Sequence, residues 1–292
     1  MSGYVIENAT FNQRSLTPAL YIVATPIGNL SDITIRALET LSSCDLIACE
    51  DTRVTGKLLN RFAIKKRMFP YHEHNAEIAG QKLIEALQQG KSVALVSDAG
   101  TPLISDPGFK LIGLAVAEGI PVVPIPGCSA PMAALVASGL PSDGFHFAGF
   151  LPPKMVARKK RLQELQTIPS TIILFESPKR IGACLQDLAE VFDPERKGAV
   201  CRELTKLHEE IVRGSLSKLA EHFKGDAPKG EIVIVIGPPN TNSDTVDVDE
   251  MLGELLERMP VSRAAAEAAG LSGLPKRDLY KRALALKDAS KQ

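Results

Sequence analysis

The sequence VALVSDAGTP at residues 93–102 indicates the fold class of this chain. Residues 93–97 have no polar alternation, which is typical of a strand that is covered on both faces of a parallel sheet. Residues 76–89 before it have helical periodicity and end at Gly90, and residues 107–118 after it predict a helix that ends at Gly119. The stretch therefore lies in the middle of a repeating β–α pattern.

The β–α pattern continues on both sides. Strands are predicted at residues 20–24, 46–49, 68–71 and 122–125, the last of them buried, and helices at residues 52–62 and 130–138. Ser31 or Asp32 is expected to cap a further helix between the first two strands. We predict an N-terminal α/β domain with a mostly parallel sheet over residues 20–130, preceded by an N-terminal extension at residues 1–19.

Strand candidates follow one another more directly in the next part of the chain. They lie at residues 145–150, 171–175, 199–204, 209–212 and 232–236, which predicts a second α/β domain with a mixed sheet over residues 131–238. After a linker, residues 245–292 are predicted to form a small helical cap, either a helix-turn-helix or another helical arrangement. The predicted fold class is thus α/β, with two domains and a C-terminal helical cap.

The charges balance overall, with 34 Lys and Arg against 34 Asp and Glu, but the basic residues are clustered. Residues 61–67 and 154–161 contain basic residues and no acid, and residues 270–292 hold six basic residues against two acidic ones. A single cluster is as often a solvated helix face, but three of them favour a nucleic-acid partner.

Cysteine usage and hydropathy indicate a cytoplasmic protein. Five scattered cysteines without a C-x-x-C pair favour reduced thiols. The sequence has neither a signal peptide nor an apolar run of the ~20 residues that a membrane helix needs. We therefore expect no membrane segment.

Several common ligand-binding motifs are absent. Residues 25–30 carry one glycine where a dinucleotide-binding turn has three, position 85 is Glu where a P-loop needs glycine, and no G-x-S-x-G is present. The sequence His72-Glu73-His74 has alternate histidines, but no further ligand cluster lies near it. We interpret it as a polar loop and predict no metal site.

Four turns rich in Gly, Pro and small polar residues follow predicted strands, at residues 25–29, 98–102, 126–130 and 149–153. The first three belong to the edge where the carboxyl ends of parallel strands form the ligand crevice of an α/β sheet. Several such turns at one edge favour a ligand site over simple tight connections.

Seven motifs together resemble the tetrapyrrole methylase superfamily, and within it the branch that methylates RNA of the small ribosomal subunit. They are LYIVATPIGNL at 20–30, CEDTR at 49–53, VSDAGTPLISDPG at 96–108, GFLPP at 149–153, FESPKR at 175–180, RELTK at 202–206 and KGEIV at 229–233. The resemblance is strong over residues 20–240 and looser in the C-terminal cap.

This resemblance implies a homodimeric methyltransferase that binds S-adenosylmethionine (SAM) between its two domains and needs no metal. The implied reaction is 2′-O-methylation of a decoding-site cytidine (cytidine 1402 in the usual rRNA numbering) in 16S rRNA of the 30S subunit. Backbone groups of Gly100 and Ile104 are expected to hold the methionine part. Asp98 is expected to pair with the amino group of the cofactor or to stabilise its cation, the alternative being that it only caps its turn. The residues expected around the cofactor are Pro26, Asp98, Ala99, Gly100, Leu103, Ile104, Ser129 and Ala130.

A base for the 2′-hydroxyl proton is expected in Glu50 or Asp51, which close a predicted strand. His72, His74, Glu176 and Lys206 are alternatives that the sequence does not rank. Basic side chains suited to phosphate are expected to contact RNA: Arg53, Lys154, Arg158, Lys159, Arg180, Arg202, Lys276 and Arg277.

Two other functions compete with this one. A methyltransferase of the same fold that acts on a tetrapyrrole predicts an apolar macrocycle pocket and has little use for basic clusters. A non-catalytic RNA-binding protein, working through its C-terminal helices, predicts no affinity for SAM.

Overall fold

The computed structural model describes residues 3–7, 9–12, 15–239, 248–272 and 274–289. The chain forms two compact units, Met1–Pro239 and Asn240–Gln292. The first unit contains an N-terminal hairpin and two five-stranded sheets, and the second consists of helices. The hairpin consists of β1 (Gly3–Ile6) and β2 (Ala9–Asn12). It lies in the N-terminal extension, in which we predicted no helix or strand from the sequence.

The first sheet is entirely parallel, with the strand order β5-β4-β6-β3-β7. Its strands are β3 (Leu20–Val23), β4 (Leu46–Cys49), β5 (Met68–Pro70), β6 (Val93–Val96) and β7 (Val122–Ile125). Helices α1 (Ile35–Ser43), α2 (Thr52–Arg61), α3 (Ala76–Gln88) and α4 (Phe109–Ala117) connect them. Every residue of β3 and β6 is buried, which confirms that the apolar run at residue 93 belongs to a strand covered on both faces.

Two local predictions in this sheet were wrong. The helix after β3 begins at Ile35 and not near Ser31, because a 3-10 turn occupies Leu30–Asp32. Its N-cap is Thr34, whose hydroxyl accepts a hydrogen bond from the Ala37 amide at 3.1 Å. Strand β7 was expected to be buried but is an edge strand whose Pro124 is exposed. Proline has no amide hydrogen for a further strand, which fits this edge position.

The second sheet is mixed, as predicted, with the strand order β11-β10-β12-β9-β8. Only β8 and β9 run parallel, and the other neighbours are antiparallel. Helix α5 (Ala130–Ser138) leads from the first sheet and packs on this one. The remaining elements are β8 (Phe145–Phe150), α6 (Met155–Leu165), β9 (Thr171–Glu176), α7 (Ile181–Val191), β10 (Lys197–Arg202), β11 (Glu210–Ser215), α8 (Leu216–His222) and β12 (Ile232–Ile236).

The C-terminal unit contains α9 (Val248–Arg258), α10 (Val261–Ser272) and α11 (Lys276–Ala289). Apolar side chains of all three helices form one core around Leu252, Ala265 and Leu279, and an ion pair of 2.7 Å joins Arg282 to Asp249. The predicted helical cap is thus present over these residues. Among the helices that the structure describes, none combines the length and apolarity needed to cross a membrane.

Candidate functional site

The loops at the carboxyl ends of the parallel strands face the second sheet across a cavity of about 500 Å³. This volume lies within the range of roughly 300–1,000 Å³ that small-molecule sites have. The lining is apolar over most of its surface and has carboxylates on the side of the first sheet. It comprises Ile27, Glu50, Asp98, Ala99, Gly100, Thr101, Ile104, Ser105, Asp106, Ser129, Ala130, Pro131, Phe150, Phe175, Glu176, Ser177, Pro178, Cys201, Leu204, Gly230, Glu231, Ile232 and Val233.

The structure brings together six of the eight residues expected around the cofactor: Asp98, Ala99, Gly100, Ile104, Ser129 and Ala130. The other two do not line the cavity. Pro26 is buried in the turn after β3. Leu103 packs against the core beneath the first sheet, beside Gly108.

Hydrogen bonds fix the turns after β3, β6 and β7 to one another. Thr25 and Gly100 exchange two backbone bonds, of 2.8 and 3.0 Å, and the Thr101 hydroxyl donates to the carbonyl of Cys128 at 3.0 Å. Gly100 has a φ of +83°, which favours glycine. Its N–H donates to the Thr25 carbonyl, and the contact of its backbone with the methionine part stays a prediction.

Three carboxylates line the first-sheet side of the cavity: Glu50 after β4, and Asp98 and Asp106 in the long turn after β6. Burial is the largest cause that raises the pKa of each. Repulsion from Asp98 also raises the pKa of Glu50, repulsion from Glu50 and Asp98 raises that of Asp106, and repulsion from Asp51 raises that of Asp98. The pKa of Asp106 rises to about 6. Sequence reasoning missed Asp106, although it lies in the SDPG part of a quoted motif, because an aspartate before proline and glycine is typical of a turn.

Glu50 and Asp51 are adjacent in sequence but occupy different environments. Asp51 caps α2 by accepting from the Arg53 amide at 2.8 Å, and its carboxylate also binds the Arg53 guanidinium at 2.6 Å. These bonds lower the pKa of Asp51 to about 2. Its own amide donates to Asp98 at 3.1 Å. Of the two, Glu50 alone lines the cavity.

The alternative bases lie in varied surroundings. Glu176 is buried at the cavity wall and pairs with Arg180 at 3.0 Å. Lys206 binds Glu203 at 2.7 Å and Glu231 at 3.2 Å. The rings of His72 and His74 lie 6.0 Å apart, and the described part of the chain contains no cluster of His, Cys, Asp and Glu suited to a metal ion.

The basic residues expected to contact RNA divide into two groups. Exposed side chains belong to Arg53, Lys154, Lys276 and Arg277. Lys159 pairs with Glu190, Arg180 with Glu176, and Arg202 with Glu210. Their ion pairs are at the surface or at the cavity wall.

Arg158 is a correction to the expected RNA contacts. Its side chain is buried and binds Asp187, itself buried, at 2.6 Å, while it also donates to the carbonyl of Pro153. A buried guanidinium without this carboxylate would be strongly unfavourable, so Arg158 holds α6 to α7 and does not face RNA.

The turn after β3 contacts the second sheet directly. Gly28 approaches the loop after β10 so closely that a Cβ atom on it would lie 2.5 Å from Lys206 Cγ, and the Asn29 amide donates to Thr205 Oγ1 at 3.1 Å. Elsewhere in the lining, Phe150 borders the cavity although 58% of it is exposed.

Family comparisons cover both units of the chain. A model described as Tetrapyrrole (Corrin/Porphyrin) Methylases matches residues 19–220, and one described as RsmI C-terminal HTH domain matches residues 242–287. Ribosomal RNA small subunit methyltransferase I of Mesorhizobium japonicum is 57% identical over 279 residues, which are 95% of each chain. The protein of the same name from Erythrobacter litoralis is 50% identical, over 93% of this chain and 96% of its own.

Solved structures share the fold at lower identity. A cobalt precorrin-4 methyltransferase has a TM-score of 0.57 and 20% identity, over 75% of this chain and 95% of its own. The uroporphyrin-III C-methyl transferase of Thermus thermophilus, complexed with S-adenyl homocysteine, has a TM-score of 0.53 and 19% identity, over 74% of this chain and 96% of its own. These two similarities concern the fold alone.

Proposed function

This chain belongs to the tetrapyrrole methylase family, in the branch of relatives named ribosomal RNA small subunit methyltransferase I, and we propose that it methylates 16S rRNA with SAM. The finer proposal is transfer to the ribose 2′-oxygen of a decoding-site cytidine in the 30S subunit. The observation that supports the proposal is a cavity of small-molecule size between the two sheets, with the carboxylates of Glu50, Asp98 and Asp106 on its first-sheet side.

The cavity lining fits SAM. Apolar side chains such as Ile27, Leu204 and Ile232 suit the adenosyl part. The carboxylates of Asp98 and Asp106 suit a ligand that carries a positive sulfonium and an ammonium group. When bound, SAM supplies an electrophilic methyl group on a positively charged sulfur.

Glu50 is the carboxylate that we assign to the acceptor hydroxyl. With SAM bound, methyl transfer to the ribose oxygen would require the hydroxyl proton to pass to a base, and the Glu50 carboxylate would accept it. A raised pKa makes the Glu50 carboxylate a stronger base than Asp51, whose pKa of about 2 reflects its bonds to Arg53. Asp51 then positions Asp98 through its amide and shapes the start of α2.

Exposed basic residues on both units are proposed to contact the RNA. Arg53 lies beside the carboxylates on the first unit, Lys154 precedes α6, and Lys276 and Arg277 begin α11. The names of the relatives give the substrate class, and the match of residues 242–287 to a helix-turn-helix model supports a role of the C-terminal unit in binding it.

Methyl transfer to purified 30S subunits tests the proposal. The subunits come from a bacterial strain that lacks the corresponding gene, and nucleosides are analysed by mass spectrometry after incubation with protein and SAM. We expect one 2′-O-methylcytidine per 16S rRNA with the wild type and far less with Glu50→Gln. A methyl group on the base would contradict the 2′-oxygen, and no transfer to RNA would contradict the substrate.

Calorimetry with SAM separates the two rival functions. A non-catalytic RNA-binding protein gives no binding signal. A tetrapyrrole methyltransferase binds SAM but methylates a porphyrinogen and not RNA. The carboxylates of the cavity and the exposed basic side chains are the features that disfavour a macrocycle as substrate.

A homodimer is also part of the proposal. Apolar residues on α3 and α4, two helices that pack on each other, are exposed: Ile78 at 68%, Phe109 at 82% and Val116 at 64%. Apolar side chains concentrated in this way mark interaction surfaces. Sedimentation equilibrium should give a dimer for the wild type and a monomer for Phe109→Asp, and a monomeric wild type would contradict the dimer.

A further inference from the structure

The carboxyl end of β8 and the turn after β6 meet at the cavity, where Phe150 and Ser105 belong to its lining. Gly149, with a φ of +64°, lies so near this turn that a Cβ atom on it would be 3.5 Å from Ser105 Oγ. This backbone conformation brings the next residue, Phe150, to the rim. Phe150 therefore belongs both to the cavity lining and to the surface.

The Phe150 ring is held by other aromatic rings. Its centroid lies 5.4 Å from that of Phe175, at 55° between the planes, and Phe175 meets Phe147 edge-on at 5.1 Å. Phe147 and Phe175 pack in turn against the core of the second sheet. The row of three rings thus runs from the core to the rim and ends in a ring that is 58% exposed. Because packing already fixes the orientation of the Phe150 ring, its side chain loses little conformational entropy when a ligand binds to it.

Enzymes that do chemistry on a base rotate its nucleotide out of the stack, which costs the stacking free energy of that base. We infer the same rotation here, because the acceptor ribose has to reach carboxylates that lie inside a cavity between two sheets. Single-stranded and extruded bases are commonly stacked on aromatic side chains, which replace that lost contact.

We propose that Phe150 is the stacking platform for the base of the acceptor nucleotide, and is a positioning residue for the methyl transfer. The inference rests on the proposed function. Glu50 lines the first-sheet side of the same cavity, so a base held on Phe150 leaves its ribose directed inward toward the carboxylates. The residues that we assign to the adenosyl part of SAM, Ile27, Leu204 and Ile232, belong to other parts of the same lining.

Four variants test the platform in the 30S methylation assay. Phe150→Ala removes the ring, Phe150→Leu keeps its apolar volume without a π face, and Phe150→Tyr restores the face. Phe145→Ala is the matched control, because Phe145 is 44% exposed on the same strand and does not line the cavity. SAM affinity is measured for each variant by calorimetry.

The Ala and Leu variants should lower kcat/KM for 30S subunits by about 5- to 150-fold, which corresponds to the loss of one base–aromatic stack. Most of the change should lie in KM, with SAM affinity within twofold of the wild type. The Tyr variant and the Phe145 control should retain wild-type kcat/KM.

Three results would overturn the platform. They are Ala and Leu variants within twofold of the wild type, a Leu variant as active as Tyr, and a parallel loss of SAM affinity, which would assign the ring to the cofactor. Failure of the proposed function is distinguishable from these results, because the wild type itself would then transfer no methyl group to 30S RNA.

Discussion

Replacing Asp106 with asparagine should stabilise this protein at neutral pH. The side chain lines the cavity in the turn between β6 and α4. Burial raises its pKa from 3.8 to about 6, a hydrogen bond with Ser97 lowers it in part, and the charges of Glu50 and Asp98 raise it again. The folded protein thus disfavours the charged form that prevails at pH 7.

The sign of the pH effect follows from the two protonation equilibria. Well below pH 3.8 the carboxyl is protonated in both states and does not affect stability. Between pH 4 and 6 the unfolded chain loses the proton first, so the free energy of unfolding falls, and above pH 6 the loss is constant. A rise from 3.8 to about 6 corresponds to at most about 3 kcal/mol.

Urea unfolding of the wild type and Asp106→Asn at pH 4, 5, 6 and 7 measures this effect. The variant should gain up to about 3 kcal/mol relative to the wild type between pH 4 and 7. Asp45→Asn is the control of opposite sign. Hydrogen bonds from the Ser92 amide and hydroxyl, at 2.8 and 2.7 Å, lower the pKa of Asp45. The Asp45→Asn variant should therefore lose stability relative to the wild type as the pH rises. A stability difference for Asp106→Asn that is constant with pH would refute the reasoning.

Further predictions concern the base, the core and the RNA contacts. Glu50→Gln should lower kcat by about 100-fold or more in the 30S assay, since a general base contributes that much, with little change in SAM affinity. Asp187→Ala should cost about 3–5 kcal/mol in urea unfolding, because it leaves a guanidinium buried without its partner. The double variant Lys276→Glu and Arg277→Glu should bind 30S subunits more weakly, with SAM binding unchanged. The slope of log affinity against log salt concentration should fall by the amount expected for the loss of roughly two phosphate contacts. The SAM affinity of the wild type should fall below pH 6, and Asp106→Asn should bind SAM more weakly and with less pH dependence.

The strands were the most predictable part of the fold. The predicted bounds of β4, β7, β8 and β12 agree with the structure. Their apolar runs are bounded by turn residues and lack the periodicity that is typical of a helix. Helix starts were less predictable. Ser31, Asp32 and Thr34 are all acceptable caps, and only the tertiary path of the chain selects Thr34. The hairpin at β1 and β2 has no alternation strong enough to distinguish it from a loop.

The loops that line the cavity were predictable because their residues are close in sequence and follow parallel strands. The environment of each side chain was not. Arg158 belongs to a run of basic residues that predicts a solvent-exposed helix face. Its side chain is nevertheless buried, because Asp187 on the neighbouring helix forms an ion pair with it. Phe150 escaped the sequence analysis because its exposure depends on the Gly149 backbone and on packing between strands distant in sequence.

The carboxylates at the carboxyl edge of the first sheet fall into two groups according to what the fold does to their pKa values. Asp51 is stabilised as an anion by the bonds it forms with its helix. Glu50, Asp98 and Asp106 are destabilised as anions, and all three line the cavity. Burial makes the charged forms of these three acids unfavourable, and packing gives no reason for their position. A cationic ligand would offset this unfavourable free energy when it binds. The pKa directions therefore support the same assignment as the geometry, in which Asp51 belongs to the scaffold and the other three to the site.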